Sequence, residues 1–290
     1  MRTLPPVILA VVLSVMLSGC SSGPSVAPGG QRFLDAKNNL KASDFKAALT
    51  NLDATIRTTT DPAMKEEAKV IRVAVLTAMA EADRQMGEAY QIGAKQPAAS
   101  GHTAAYYKNR TDYYNTAHSL LMNAMQSVMD ERSKLGDKPL AMELAFPGFM
   151  GTNPTLDHLK EGQLLSDGDR MQAELQADRN ALAKVLTAIA GAKDDVNKGQ
   201  EIYAKGKVEI DPRVYLIALS DSFLTTGAMF GPRGLNEADH LATVNQVVMG
   251  NMAVAQKLLT AKPDKDLEAQ ARSEMDRSEG KSEKPQNRGK

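Results

Sequence analysis

From Gln31 onward apolar side chains return at every third and fourth position, and no convincing run of alternating β-branched residues interrupts them. That spacing is the period of a helix with one face against a core, whereas a half-buried strand would alternate. Phe33, Ala36 and Leu40 share one face, and Ser43-Asp44 then caps a second helix carrying Phe45, Ala48, Leu49, Leu52 and Ile56. Asp61-Pro62, an N-cap followed by a first-turn proline, opens a long helix to Ile92, about 45 Å at 1.5 Å per residue. Met64, Ala68, Ile71, Val75, Ala78, Met79, Ala82, Met86 and Tyr90 form its stripe, and Val70 and Val73 on the other side predict that its middle is covered from two directions. A break at 96–102 precedes a helix from Thr103 to about Leu135.

After Gly136 the texture changes, and a Gly/Pro-rich loop runs through Phe146 and Phe149 to Asn153-Pro154. Helices resume over 155–165 and 169–190, then over 213–230 and 236–262, the last with Asn236 as N-cap. The expected fold is all-α, with antiparallel helical hairpins stacked as a short solenoid or bundle over 31–262 and a subdivision near 136–155. Residues 263–290 mix seven acidic and seven basic residues with almost no apolar ones. Such a segment has little to bury, which predicts disorder or a frayed, solvated helix near Leu267 to Met275.

Upstream of the helical region, Arg2 precedes an apolar run, Val7 to Leu17, broken only by Ser14 and closed by Leu17-Ser18-Gly19-Cys20. Eleven residues are too few to span a bilayer, which takes about 20 in a helix, so 1–19 reads as a signal peptide. The four closing residues resemble the lipobox of bacterial lipoproteins, and Cys20 is the only cysteine in the chain. The resemblance implies acylation of the Cys20 sulfur, cleavage before it and acylation of the new amine. Two or three acyl chains anchor a protein stably where one does not. Residues 20–30 are nearly all Ser, Gly and Pro and form a flexible tether. In such lipoproteins an acidic residue after the cysteine marks inner-membrane retention. Ser21 is not acidic, so the resemblance implies an outer-membrane protein facing the periplasm.

Two stretches resemble tetratricopeptide units. Leu40-Lys41-Ala42-Ser43-Asp44-Phe45-Lys46-Ala47-Ala48-Leu49 is similar to the middle of a repeat, where an aromatic residue and a small alanine mark the helix crossing, although the usual tryptophan and glycine of the first helix are missing. Residues 194–203, with Glu209-Ile210-Asp211-Pro212 behind them, resemble the second helix and exit of a unit, with one extra residue before Asp211. The resemblance implies a protein-binding helical stack.

Composition removes several classes of function. Cleavage leaves 271 of 290 residues with a formal charge of minus one, and no half of the chain is strongly basic, so the counterion-release drive for nucleic acid is missing. There is no tryptophan and aromatics are 4%, which argues against a sugar-stacking groove. No G-x-S-x-G, free reactive thiol or recognisable acid pair is present, so no enzyme, catalytic residue or cofactor is expected. Glu237-x-x-His240 has the spacing of a metal-binding pair, but no acidic residue stands three before His102, His118 or His158, and acids are ordinary in a first helical turn. The methionine pairs Met122-x-x-Met125 and Met249-x-x-Met252 lie on or beside apolar stripes and read as core filling. No metal is therefore expected.

The candidate binding surface is Tyr106, Tyr107, Arg110, Tyr113 and Tyr114, with Phe146 and Phe149 in the loop. The four tyrosines fall within an arc of about 120° on one helix. Ala117, Leu121, Ala124 and Val128 continue that face, which favours a core seam, while Arg110 within it could meet an acidic ligand. The expected function is an envelope lipoprotein, held to the membrane by its lipid, that scaffolds another envelope protein. The alternative is a ligand-binding accessory to a periplasmic transport system, which a solvent-connected pocket lined by Arg110 and the tyrosines would favour.

Overall fold

A computed structural model describes residues 29–281. The expected signal peptide, the lipobox-like Leu17-Ser18-Gly19-Cys20 and the expected tether up to residue 28 lie outside them. The described residues form ten helices: α1 Gly30–Lys41, α2 Phe45–Thr58, α3 Pro62–Gly93, α4 Thr103–Arg132, α5 Pro154–Lys160, α6 Asp167–Ile189, α7 Val196–Tyr203, α8 Pro212–Gly227, α9 Ala238–Ala261 and α10 Lys265–Ser278. The fold is all-α, as the spacing predicts.

Most starts are written locally. Asp44, Asp61, Asn153, Ser166, Asp195 and Asp211 each accept a backbone N–H of the turn they cap, which satisfies a donor the helix itself cannot. α3 is the axis of the molecule, packing against α2, α4, α5, α6 and α8. Its middle is accordingly apolar on every side: Val70, Ile71, Val73, Ala74, Val75, Leu76, Ala78 and Ala80 are all buried. Its neighbours α2 and α8 belong to the α1–α2 and α8–α9 hairpins, and α4 returns alongside it.

α7 lies against α6 at a close crossing. A Cβ on Gly199 would stand 2.2 Å from Thr187 Oγ1, so only glycine fits there, and the Tyr203 hydroxyl donates to the Leu186 carbonyl at 3.2 Å.

Four elements depart from the sequence reading: two short strands, the start of α9, and α10. β1 Leu140–Glu143 and β2 Lys207–Ile210 pair antiparallel, with Leu140 opposite Ile210 and Met142 opposite Val208. Those four side chains are buried while Glu143, Lys207 and Glu209 face out, the ordinary alternation of a one-sided sheet. The start of α9 is set by Glu237, since Asn236 adopts φ 58° and caps nothing.

The acidic and basic segment after Pro263 is not solvated throughout. Asp264 caps α10, which docks on α8 and α9 through Ala271, Glu274 and Ser278, all buried. Arg277 bridges Glu274 to Asp221 of α8, and this charge pairing flanks a short apolar stripe of Leu267, Ala271 and Met275 packed on the core. Two of the charged residues that suggested solvation, Glu274 and Arg277, are thus docking groups.

Candidate binding cleft

α2, α3, α4 and α6 enclose a solvent-connected cavity of about 490 Å³. Leu49, Met79, Ala82, Met86, Leu120 and Met171 supply apolar wall. Asp83 comes from α3, Asp112 and Tyr113 from α4, and Glu174 and Asp178 from one face of α6; Lys46 and Arg170 are the basic groups. The Tyr113 hydroxyl donates to a Glu174 carboxylate oxygen, and burial with that acceptor raises the phenol well above its ordinary range.

Burial lifts the Asp83 carboxyl to about 7, with Glu174 adding to the rise and Lys46 opposing it. Asp178 is pushed up to about 8, by burial first and then by Asp83 and Glu174, again against Lys46. Near neutral pH this pair therefore holds protons that any cation entering the cleft would displace.

An ion-paired cluster lies beside Asp83 in the sequence of α3. Arg84 forks onto both oxygens of Glu81 at 2.7 and 2.8 Å and reaches Glu88, while Gln85 and Thr226 of α8 also donate to Glu81. Despite desolvation, these donors hold the Glu81 carboxyl below its usual value.

A second cavity, of about 220 Å³ between α2, α3 and α4, holds more cations, but they are already committed. Arg72 binds Asp53, Lys69 binds Glu131, and Arg132 reaches the Val247 carbonyl and Asn251 of α9.

The tyrosine cluster does not act as one surface. Tyr106 is fully buried, edge-on to Tyr90, where burial lifts its hydroxyl to about 12. Tyr107 points outward, 44% exposed. Tyr113 stacks on Tyr90 and lines the cleft. Tyr114 is buried against Gly87, where a Cβ would come within 2.6 Å of its ring.

Arg110 lies 5.7 Å over the Tyr114 ring and donates to the Gly234 carbonyl at 3.2 Å, with its Nε buried and unpartnered. The Tyr114 hydroxyl donates to Gln91, whose amide in turn donates to the Arg233 carbonyl. Arg110 and Tyr114 thus clamp the 231–236 loop and do not line the cleft. Phe146 packs half-buried against Tyr203, whereas Phe149 is 43% exposed beneath Lys184.

The sequence reading missed Asp83, Glu174 and Asp178. One signal was present: Glu174 and Asp178 stand four apart on one helical face, a like-charge spacing that weakens a helix unless a counter-charge meets it. Asp83 joins them only through the α3–α6 packing. Comparisons with protein-family models, with curated proteins and with solved structures found no match to this chain.

Proposed function

We propose that this chain is a lipid-anchored envelope protein whose helical body holds a small organic cation in the cleft between α3, α4 and α6. The observation that carries the reading is the coexistence of Asp83, Glu174 and Asp178 with a methionine and leucine wall in one cavity. The carboxylates suit a protonated amine, and the thioether and aliphatic wall suits its carbon body. A cavity of about 490 Å³ lies within the range of small-ligand sites, about 300–1,000 Å³. Among the described residues the cleft acids are not gathered tightly enough to hold one metal ion, which favours an extended cation. The lipobox resemblance supplies the anchor and the address, as for a ligand-holding accessory of an uptake system.

The full chain, extracted from envelopes in mild detergent, is expected to release a small amine on denaturation when followed by mass spectrometry. Asp178→Asn is expected to reduce that amine at least tenfold. A ligand-free chain that also fails to bind putrescine would refute the cleft reading. Cys20→Ser is expected to give an unprocessed precursor that takes up no labelled palmitate; labelling of that variant would refute the anchor.

A second reading, a protein-interaction scaffold, draws on the loop before α5. Phe149 and Met150 are 43% and 51% exposed on a backbone that Arg179, Asn180 and Gln176 of α6 hold in place. Envelope crosslinking that recovers one stable partner through Phe149, and not through Phe149→Ser, would favour it.

A further inference from the structure

We propose that His118, Glu237 and His240 form a binding site for a divalent transition-metal ion of zinc's class, independent of the cleft. His118 comes from the middle of α4, while Glu237 occupies the N-cap position of α9 and His240 its first turn. One ligand atom from each lies within 4.8 Å of the other two, and among the described residues no other group of histidine and acidic side chains converges in this way.

Tetrahedral zinc with bonds of about 2.0–2.1 Å places its ligand atoms about 3.3 Å apart. Glu237 Oε2 and His240 Nδ1, at 2.9 Å, already stand near that separation. Modest side-chain rotation brings in His118, whose ring centroid is 4.2 Å from that of His240.

The scaffold under these ligands is stiff, which a metal site needs if closing it is to cost little. Phe230 packs edge-on against His118 at 5.0 Å and at a tilt against His240 at 5.3 Å, backing both rings with one apolar side chain. The Glu237 N–H donates to the Phe230 carbonyl at 2.8 Å, and the Leu235 N–H to the Met229 carbonyl at 2.6 Å. Gly234 allows that fold, because a Cβ there would lie 1.9 Å from the Met229 oxygen. Arg110 and the Tyr114–Gln91 pair hold the same loop from α4 and α3. The candidate surface residues Arg110 and Tyr114 therefore act as braces for the Glu237 side of the site.

Two imidazoles and one carboxylate, with no thiolate, suit zinc and its neighbours better than calcium or magnesium. Glu237 and His240 keep about 40% of their side-chain surface exposed, so an ion can enter and retain one water as its fourth ligand. Bound there, it would tie the start of α9 to the middle of α4.

The test uses the full chain in detergent, stripped with a chelator and titrated with zinc, then with cobalt as a spectroscopic probe. One zinc per chain is expected with a dissociation constant tighter than about 10 µM, and bound cobalt is expected to show a four-coordinate visible spectrum. His118→Gln and His240→Gln are each expected to weaken binding at least 100-fold and Glu237→Gln at least tenfold, whereas the exposed His158→Gln changes nothing. His240 is on the surface, so its variant keeps the fold and decides the matter if His118→Gln unfolds. Weaker wild-type binding, or tight binding that survives His240→Gln, overturns the proposal.

Discussion

Asp178→Asn is expected to stabilise the protein at neutral pH, against the common outcome of changing a half-buried charged residue. In the unfolded chain Asp178 ionises near 3.8, but in the fold it does so near 8. Between those values the folded state binds more protons than the unfolded one, so stability falls as pH rises through the interval and reaches its floor above 8. Each unit corresponds to about 1.4 kcal/mol, which sets a ceiling of about 5 kcal/mol at pH 7.5. The cleft is open to water and Lys46 faces the pair, and this screening reduces the expected gain to about 2 kcal/mol. For a chain of this size that is a rise of about 4–8 °C in melting temperature.

The assay is thermal unfolding of wild type and variant at matched buffers from pH 4.5 to 8.5. The difference is expected to be largest above pH 7 and to shrink below about 2 °C at pH 4.5, where the folded and unfolded carboxyls approach the same protonation. A difference that is independent of pH, or a variant less stable than wild type at pH 8, would refute the argument that burial has raised this carboxyl.

Three further expectations follow from the packing. Gly93→Ala should gain about 1 kcal/mol from helix propensity, yet its Cβ would stand 2.0 Å from the Leu159 carbonyl oxygen, so a net loss of about 2 kcal/mol is expected in denaturant unfolding, and any gain would contradict the α3–α5 contact. Arg84→Ala leaves Glu81 largely buried without its fork and should cost about 3 kcal/mol at pH 7. Because the folded Glu81 value is depressed, that loss is expected to diminish as pH falls below about 4.5, and a cost unchanged at pH 3 would contradict the pairing. Ala271→Glu places a charge at the α10 contact, and trypsin is expected to cut at Arg272 at least tenfold faster than in wild type; equal rates would show that α10 is not docked.

The helices were legible because their signals are local. Asp44 and Asp61 cap the helices whose first turns follow them, and Phe33, Ala36 and Leu40 lie on the buried face that their spacing marks. What the sequence hid depends on distance along the chain. Four residues at Leu140–Glu143 alternate too briefly to read as a strand until Lys207–Ile210 arrives beside them. α10 looked solvated because its stripe of Leu267, Ala271 and Met275 is short and the rest of its docking uses Arg277 and Glu274.

The tyrosine arc was correctly placed on one helix, but neighbours on different elements divide its members among a core, a loop clamp and a cleft wall. The cleft acids and the histidine pair share this property. Asp83 stands 95 positions from Asp178, and His118 stands 122 from His240, and no periodicity within one helix links either pair.

The most direct test of the cation cleft is calorimetric titration of the full chain with putrescine at pH 6 and pH 8.5, in buffers of different ionisation enthalpy. Binding is expected to release protons at pH 6 and to tighten at least tenfold by pH 8.5, as Asp83 and Asp178 lose the protons that a cation must displace. Affinity that is the same at both pH values, with no proton release, would contradict the assignment of these carboxylates as the binding groups.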